Sequence, residues 1–240
     1  MKKRVKEIWS KYFGDDLDFL NKYFSIYYEP NNLIINSLSE GKEFIYMALI
    51  VRYEYKYNDE KIPIGYVTAV LTNPQYRNQG YFRVTMQEVF QRLIDNNYII
   101  SCLIPASEEL KTTYIRYGYS NCFTTTKLPN NNKSILHRKE TFQLYKDLNY
   151  DMQSLKANPN AMLRIVDVQK VLELFASQNP SIEKRLKVID NQISSNNNSF
   201  EIKQGKVIIL ERSDDCETIS ISDLAYLIFE NSYMDLMFDK

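Results

Sequence analysis

Two segments of this sequence carry residue types that could do chemistry. The first is Arg77-Asn78-Gln79-Gly80-Tyr81-Phe82, which follows the apolar strand Val67 to Leu71. It opens a helix whose apolar face is Phe82, Met86, Val89, Phe90, Leu93 and Ile94. At such a turn, successive backbone N–H groups and the positive end of the helix dipole converge on an anion. Gly80 lets a ligand approach the backbone closely. Taken as a string, Arg-x-x-Gly is short, and a glycine at a helix start is often only a turn. The second segment is Ala106-Ser107-Glu108 with Tyr114-Ile115-Arg116-Tyr117-Gly118-Tyr119 downstream. A tyrosine phenol is a weak acid with pKa about 10, although most of the 19 tyrosines must simply pack. Glu108, at a helix start, reads either as a base or as a partner of the helix dipole. Cys102 lies on the apolar strand Tyr98 to Ile104 and reads as an inert small hydrophobe rather than a nucleophile.

Other chemistries find no residues. The only histidine is His137, so neither a histidine-based metal cluster nor a Ser/His/Asp triad can be assembled. Cys102, Cys122 and Cys216 are widely spaced, which argues against a disulfide framework and a structural zinc site and fits a reducing, cytoplasmic setting. Thirty basic and thirty acidic side chains give zero formal net charge, so nothing global steers the chain to nucleic acid or anionic lipid. The basic start, Met1 to Lys6, leads into Glu7 and an amphipathic pattern instead of an export signal. No apolar run approaches the roughly 20 residues that span a bilayer.

The elements that must position these residues follow from periodicity. With 240 residues, 44% hydrophobic and 25% charged, the chain suits one large soluble domain or two small ones. Apolar residues at Val5, Ile8, Trp9, Tyr12 and Phe13, then at Leu17, Leu20, Tyr23, Phe24 and Tyr27, predict two helices broken at Gly14-Asp15-Asp16. The aromatics Tyr23, Phe24, Tyr27 and Tyr28 could wall an acceptor pocket, though their helical spacing suits a core. Leu33 to Leu38 and Phe44 to Tyr55 predict a hairpin, and Ile64 to Leu71 a further strand. With the helix after Gly80 and the strand Tyr98 to Ile104, these make a βαβ unit. A short helix from Ser107 to Tyr114 and a strand near Phe123 complete a mixed α/β domain over residues 1–130. Residues 131–159 form a connecting segment. A second, strand-dominated α+β domain over 160–240 is expected, with strands at 162–168, 184–193, 199–204, 206–210 and 218–221 and a helix around Val171 to Phe175.

The run Val67-Thr68-Ala69-Val70-Leu71-Thr72-Asn73-Pro74-Gln75-Tyr76-Arg77-Asn78-Gln79-Gly80 resembles the coenzyme-binding motif of the GNAT acetyltransferases. The Ala106 to Glu108 and Tyr114 to Tyr119 blocks are similar to a run in the Eis-like branch of that superfamily. Met162 to Val168, the helix after it and Thr218 to Phe229 resemble the sterol-carrier-like domain that ends Eis-like proteins. Three departures stand out. Phe82 replaces the family's second small residue, which would tighten the cradle. The spacing from Glu108 to Tyr114 is two residues longer. The second acetyltransferase-like domain usual between the two regions does not fit in this length.

The resemblance implies a GNAT fold with a mixed central sheet and a small C-terminal α+β domain, with acetyl-CoA as co-substrate and no metal. It implies an N-acetyltransferase acting by direct attack of a primary amine of a small molecule or peptide. Arg77, Asn78, Gln79, Gly80, Tyr81 and Phe82 would hold the pyrophosphate. Backbone groups of Val70, Leu71 and Thr72 would meet the pantetheine and the oxyanion, and Tyr114 would be the general acid. The base would be the C-terminal carboxylate of Lys240, with Asp239 or Glu108 as other candidates. The alternative is a non-catalytic binding protein in which Phe82 obstructs the cradle and the C-terminal domain holds an apolar ligand or partner. Neither nucleic acid nor membrane is expected as a partner, and homo-oligomers stay open.

Overall fold

The computed structural model describes residues 1–38, 43–57, 60–126, 144–145, 160–212, 215–230 and 232–235. The two N-terminal helices form where the apolar periodicity places them. Helix α1 (Lys2–Phe13) buries Val5, Ile8 and Trp9 and stops at Gly14, whose left-handed backbone closes the last turn onto the Ser10 carbonyl. Helix α2 (Leu17–Tyr27) starts at Asp16, whose carboxylate accepts from the Phe19 N–H at 2.7 Å. Trp9 packs against Tyr23 and Phe24 at centroid separations of 5.5 and 5.7 Å. Tyr23, Phe24 and Tyr27 therefore belong to the core, while Tyr28 stacks on Phe24 at 5.4 Å.

The central sheet holds β1 (Leu33–Leu38), β2 (Glu43–Tyr57), β3 (Glu60–Thr72), β4 (Ile100–Leu103) and β7 (Met162–Ile165) in the order β1-β2-β3-β4-β7. It is mixed: β3 and β4 run parallel, and the other neighbours antiparallel. Alternate residues of β2 serve different cores. Met47, Leu49 and Val51 join α1 and α2, whereas Ala48 and Ile50 join α3 (Tyr81–Asp95) through Met86, Val89, Phe90 and Leu93. Helix α3 lies so close to β3 that a Cβ on Gly65 would fall 2.2 Å from the Leu93 Cδ2. Helix α4 (Glu108–Ile115) begins at Ser107, whose hydroxyl accepts from the Leu110 N–H at 3.3 Å.

Beyond residue 160 the structure departs from the sequence reading in three respects. Met162 to Ile165, expected as the first strand of a separate domain, pairs with β4 and extends the first sheet. All four residues are buried, Arg164 among them. After β7 come α5 (Val168–Gln178) and a four-stranded sheet ordered β10-β9-β8-β11. Its strands are β8 (Lys184–Ile189), β9 (Ser199–Lys203), β10 (Lys206–Leu210) and β11 (Glu217–Ser220). Strand β8 stops at Ile189 instead of running to Ile193 because the Asp190 carboxylate accepts from the Gln192 and Ile193 N–H groups and turns the chain. Helix α6 (Ile221–Phe229) starts at Ser220. Its apolar face and α5 share one continuous core with α1 and α2. A short strand not expected from the sequence, β12 (Ser232–Asp235), inserts between β5 (Phe123–Thr126) and β6 (Leu144–Tyr145), parallel to β5. His137, Asp239 and Lys240 lie outside the described residues.

Candidate active site

The site begins where two parallel strands part. Strands β3 and β4 pair at Ile64/Ile100, Gly65/Ser101 and Tyr66/Cys102 and no further. From Val67 to Thr72, β3 keeps only its β2 neighbour, so the edge toward β4 opens. Within this stretch the register shifts between Leu49/Thr68 and Met47/Leu71, leaving Ala69 and Val70 together opposite Ala48. Ala69 stands at φ 51, a left-handed conformation costing roughly 1 kcal/mol in a residue other than glycine. Such bulges interrupt the ladder and re-aim backbone groups beside binding sites.

The loop after β3 is pinned at its base. The buried Asn73 gives its N–H to the Ile45 carbonyl and its side-chain amide to the Phe44 carbonyl, each at 2.8 Å. Tyr76 and Arg77 bond back to Asn73 and Pro74. The next five backbone N–H groups, from Asn78 to Phe82, donate to no described protein acceptor. Helical bonding resumes with Arg83 and Val84, both donating to the Gly80 carbonyl. Asn78 (φ 62) and Gly80 (φ 83) are left-handed, and this alternation of hand curls consecutive N–H groups into a concave nest. A Cβ built on Gly80 meets nothing within 4 Å, so the loop is open on that side. The loop therefore fits a phosphate group at the positive end of α3. Arg77 is exposed beside it.

Phe82 does not turn its ring into empty space. It packs on Tyr114 at 5.7 Å and on Tyr117 at 5.4 Å, beside the end of α4. Tyr114, in the last turn of α4, is 6% exposed, and its hydroxyl makes no hydrogen bond to a described residue. Burial pushes its phenol well above the usual range and keeps it protonated. Tyr119 packs on Tyr114 at 5.7 Å and shares a 2.8 Å hydrogen bond with Ser101.

Other residues singled out from the sequence stand elsewhere. Glu108 is exposed in the first turn of α4 and pairs with Lys111 at 3.6 Å, the arrangement of a helix-dipole partner. Cys102 is buried with its Sγ 3.9 Å from the Gly65 carbonyl, and burial holds its thiol far above its ordinary value. Val70, Leu71 and Thr72 lie on the open stretch of β3, as their place in the sequence requires. Strand β12 carries the chain's last described residues alongside β5. Among the described residues, no group of three or more His, Cys, Asp or Glu side chains could hold a metal, and no helix is long and apolar enough to cross a membrane.

The sequence reading missed one feature of this neighbourhood. Arg164 and Asp190, both with fully buried side chains, form an ion pair behind the Tyr114 turn. The available signal was a lone arginine inside the apolar run Met162 to Val166.

Comparison with known proteins finds relatives of this fold. In fold the chain is similar to a GCN5-related N-acetyltransferase from Anabaena variabilis (TM-score 0.66, 15% identity, 94% of this chain and 86% of that one). It is also similar to Eis1 from Mycobacterium abscessus (TM-score 0.68, 9% identity, 95% and 87%). A third likeness is to a probable N-acyltransferase from Enterococcus faecalis (TM-score 0.64, 13% identity, 94% and 86%). Comparison with curated proteins finds no match. A family model described as an acetyltransferase (GNAT) domain matches residues 2–122, just over half of the 240 residues, from α1 through the amide loop to the end of the Tyr114 turn. The chain belongs to the GNAT acetyltransferase family.

Proposed function

We propose that the chain is an N-acetyltransferase that moves the acetyl group of acetyl-CoA to a primary amine of a small molecule or peptide by direct attack in a ternary complex. One observation carries this reading: the unpaired amides from Asn78 to Phe82 follow directly from the open stretch of β3. Those amides and Arg77 would hold the coenzyme pyrophosphate, while backbone groups of Val70, Leu71 and Thr72 would meet the pantetheine arm. The coenzyme supplies an acyl group activated as a thioester.

The chain's own residues would then manage charge and protons. The amine nitrogen bonds to the carbonyl carbon as the carbon–sulfur bond breaks. An N–H near Val70 or Leu71 carries the charge gathering on the carbonyl oxygen. Tyr114 gives its proton to the departing sulfur, and a carboxylate takes the proton of the amine. For that carboxylate we favour Lys240 at the end of the chain, with Asp239 as its neighbour. The pairing of β12 with β5 supports this, because it sets Ser232 to Asp235, the last described residues, beside Phe123 to Thr126. Glu108 is the weaker candidate, being engaged with Lys111. Burial and the high thiol pKa of Cys102 speak against a ping-pong route through an acyl-cysteine.

We further assign the chain to the Eis-like branch, with an acetyltransferase domain over 1–130, a connecting segment over 131–159 and a sterol-carrier-like region over 160–240. Likeness in fold to Eis1 supports this assignment. Free, mostly buried cysteines suit a reducing, cytoplasmic setting. Calorimetry with acetyl-CoA tests the reading. Saturable binding, followed by release of free thiol when a panel of amines is added, is the expected result. No binding at millimolar coenzyme would contradict it.

A further inference from the structure

We propose that Arg164 and Asp190 are positioning residues through which the C-terminal region holds the Tyr114 turn in place against the amide loop. This rests on the functional reading above.

Arg164 sits in the middle of β7, opposite Ser101 of β4. One terminal nitrogen donates to both Asp190 oxygens, at 2.8 and 2.6 Å, and the other donates to the Tyr117 carbonyl. The guanidinium plane also lies 4.5 Å from the Phe90 ring of α3. Asp190, in the turn after β8, accepts from the N–H groups of Gln192 and Ile193 and from the Asn196 side chain at 2.9 Å. A single buried cation thus joins β7, the turn after β8, α3 and the end of α4.

The end of α4 is where this matters. The Tyr117 and Tyr119 N–H groups both close onto the Tyr114 carbonyl, at 2.9 and 3.2 Å, so an anchor on the Tyr117 carbonyl fixes the turn that carries the Tyr114 ring. Phe82, touching both Tyr114 and Tyr117, extends the connection to the amide loop. Gly118 is shaped to this purpose: at φ 79, a Cβ there would lie 1.9 Å from an Arg164 nitrogen.

Stability alone does not account for the pair. Apolar side chains of similar volume usually serve a buried core as well as an ion pair does, and the Arg164 Nε is buried without a partner. Geometry at the Tyr117 carbonyl is what an apolar substitute could not supply.

The test is the full-length double variant Arg164→Met/Asp190→Leu, which removes both charges while keeping the volume. Its amide hydrogen exchange, acetyl-CoA affinity and turnover are compared with the parent. We expect a folded protein with nearly parental coenzyme affinity, turnover lowered about tenfold or more, and faster exchange confined to the amides of Tyr117 to Tyr119. Parental turnover and parental exchange would overturn the proposal. If the double variant does not fold, Arg164→Lys decides by the same exchange readout, since lysine keeps the charge opposite Asp190 but cannot fork to Tyr117; parental exchange there overturns it. A parent that transfers no acetyl group to any amine would defeat the functional reading, while the exchange measurement would still judge the anchor.

Discussion

Tyr114 combines two properties that seldom occur together: it is 6% exposed, yet its hydroxyl has no hydrogen-bond partner among the described residues. A proton donor toward a thiolate needs this poise, because any acceptor already in place would compete for the proton. Tyr114→Phe should lower turnover by roughly a hundredfold and leave acetyl-CoA affinity nearly parental, as read by steady-state kinetics beside calorimetry. Equal turnover in mutant and parent would remove Tyr114 from the mechanism. The buried phenols also set a pH dependence. Burial pushes Tyr23, Tyr53, Tyr66, Tyr114 and Tyr119 above their ordinary value. In the unfolded chain these phenols ionise near pH ~10, while the folded chain retains their protons. Stability is therefore full below about pH 10 and falls as pH rises further. Urea midpoints measured from pH 8 to 11 should hold steady and then drop steeply.

The amide loop works because a strand, a glycine and a helix meet in one turn. Gly80→Ala meets no atom, but its φ of 83 should cost roughly 1 kcal/mol of stability. Relief of that strain would re-aim the loop's amides, so coenzyme affinity should fall while the far-ultraviolet spectrum stays parental. Unchanged affinity would indicate that the phosphates bind elsewhere. This turn was legible in the sequence, since the polar loop ending at Gly80 separates an apolar strand from period-3.6 patterning. So was the start of α2 at Asp16, because side chains that satisfy helix N–H groups are few in kind. The sequence misled where burial changed a residue's meaning. Arg164 read as one residue of a strand at 162–168, but it is enclosed by a partner 26 residues away, and no local pattern encodes that pairing. Asp190 read as part of a strand, but its carboxylate accepts backbone donors and ends β8 at Ile189.

In the whole molecule, the two regions share more than a boundary. The core under α1 and α2 continues to α5, α6 and the four-stranded sheet, and β7 completes the first sheet from beyond residue 160. Strand β12 returns to β5 from the other side. These long-range returns were not legible, because pairing partners far apart in sequence leave no periodic trace, whereas the order of helices and strands was. A chain ending at Glu230 should keep its coenzyme affinity and lose most of its turnover, as read by calorimetry and thiol release, if the tail supplies the base. Parental turnover would transfer that role to another group. The most direct measurement is a crystal structure with coenzyme A bound. Pyrophosphate oxygens within hydrogen-bonding distance of the N–H groups of Asn78 to Phe82 are the expected result. Coenzyme bound elsewhere, or a Phe82 ring swung over those amides, would contradict the assignment.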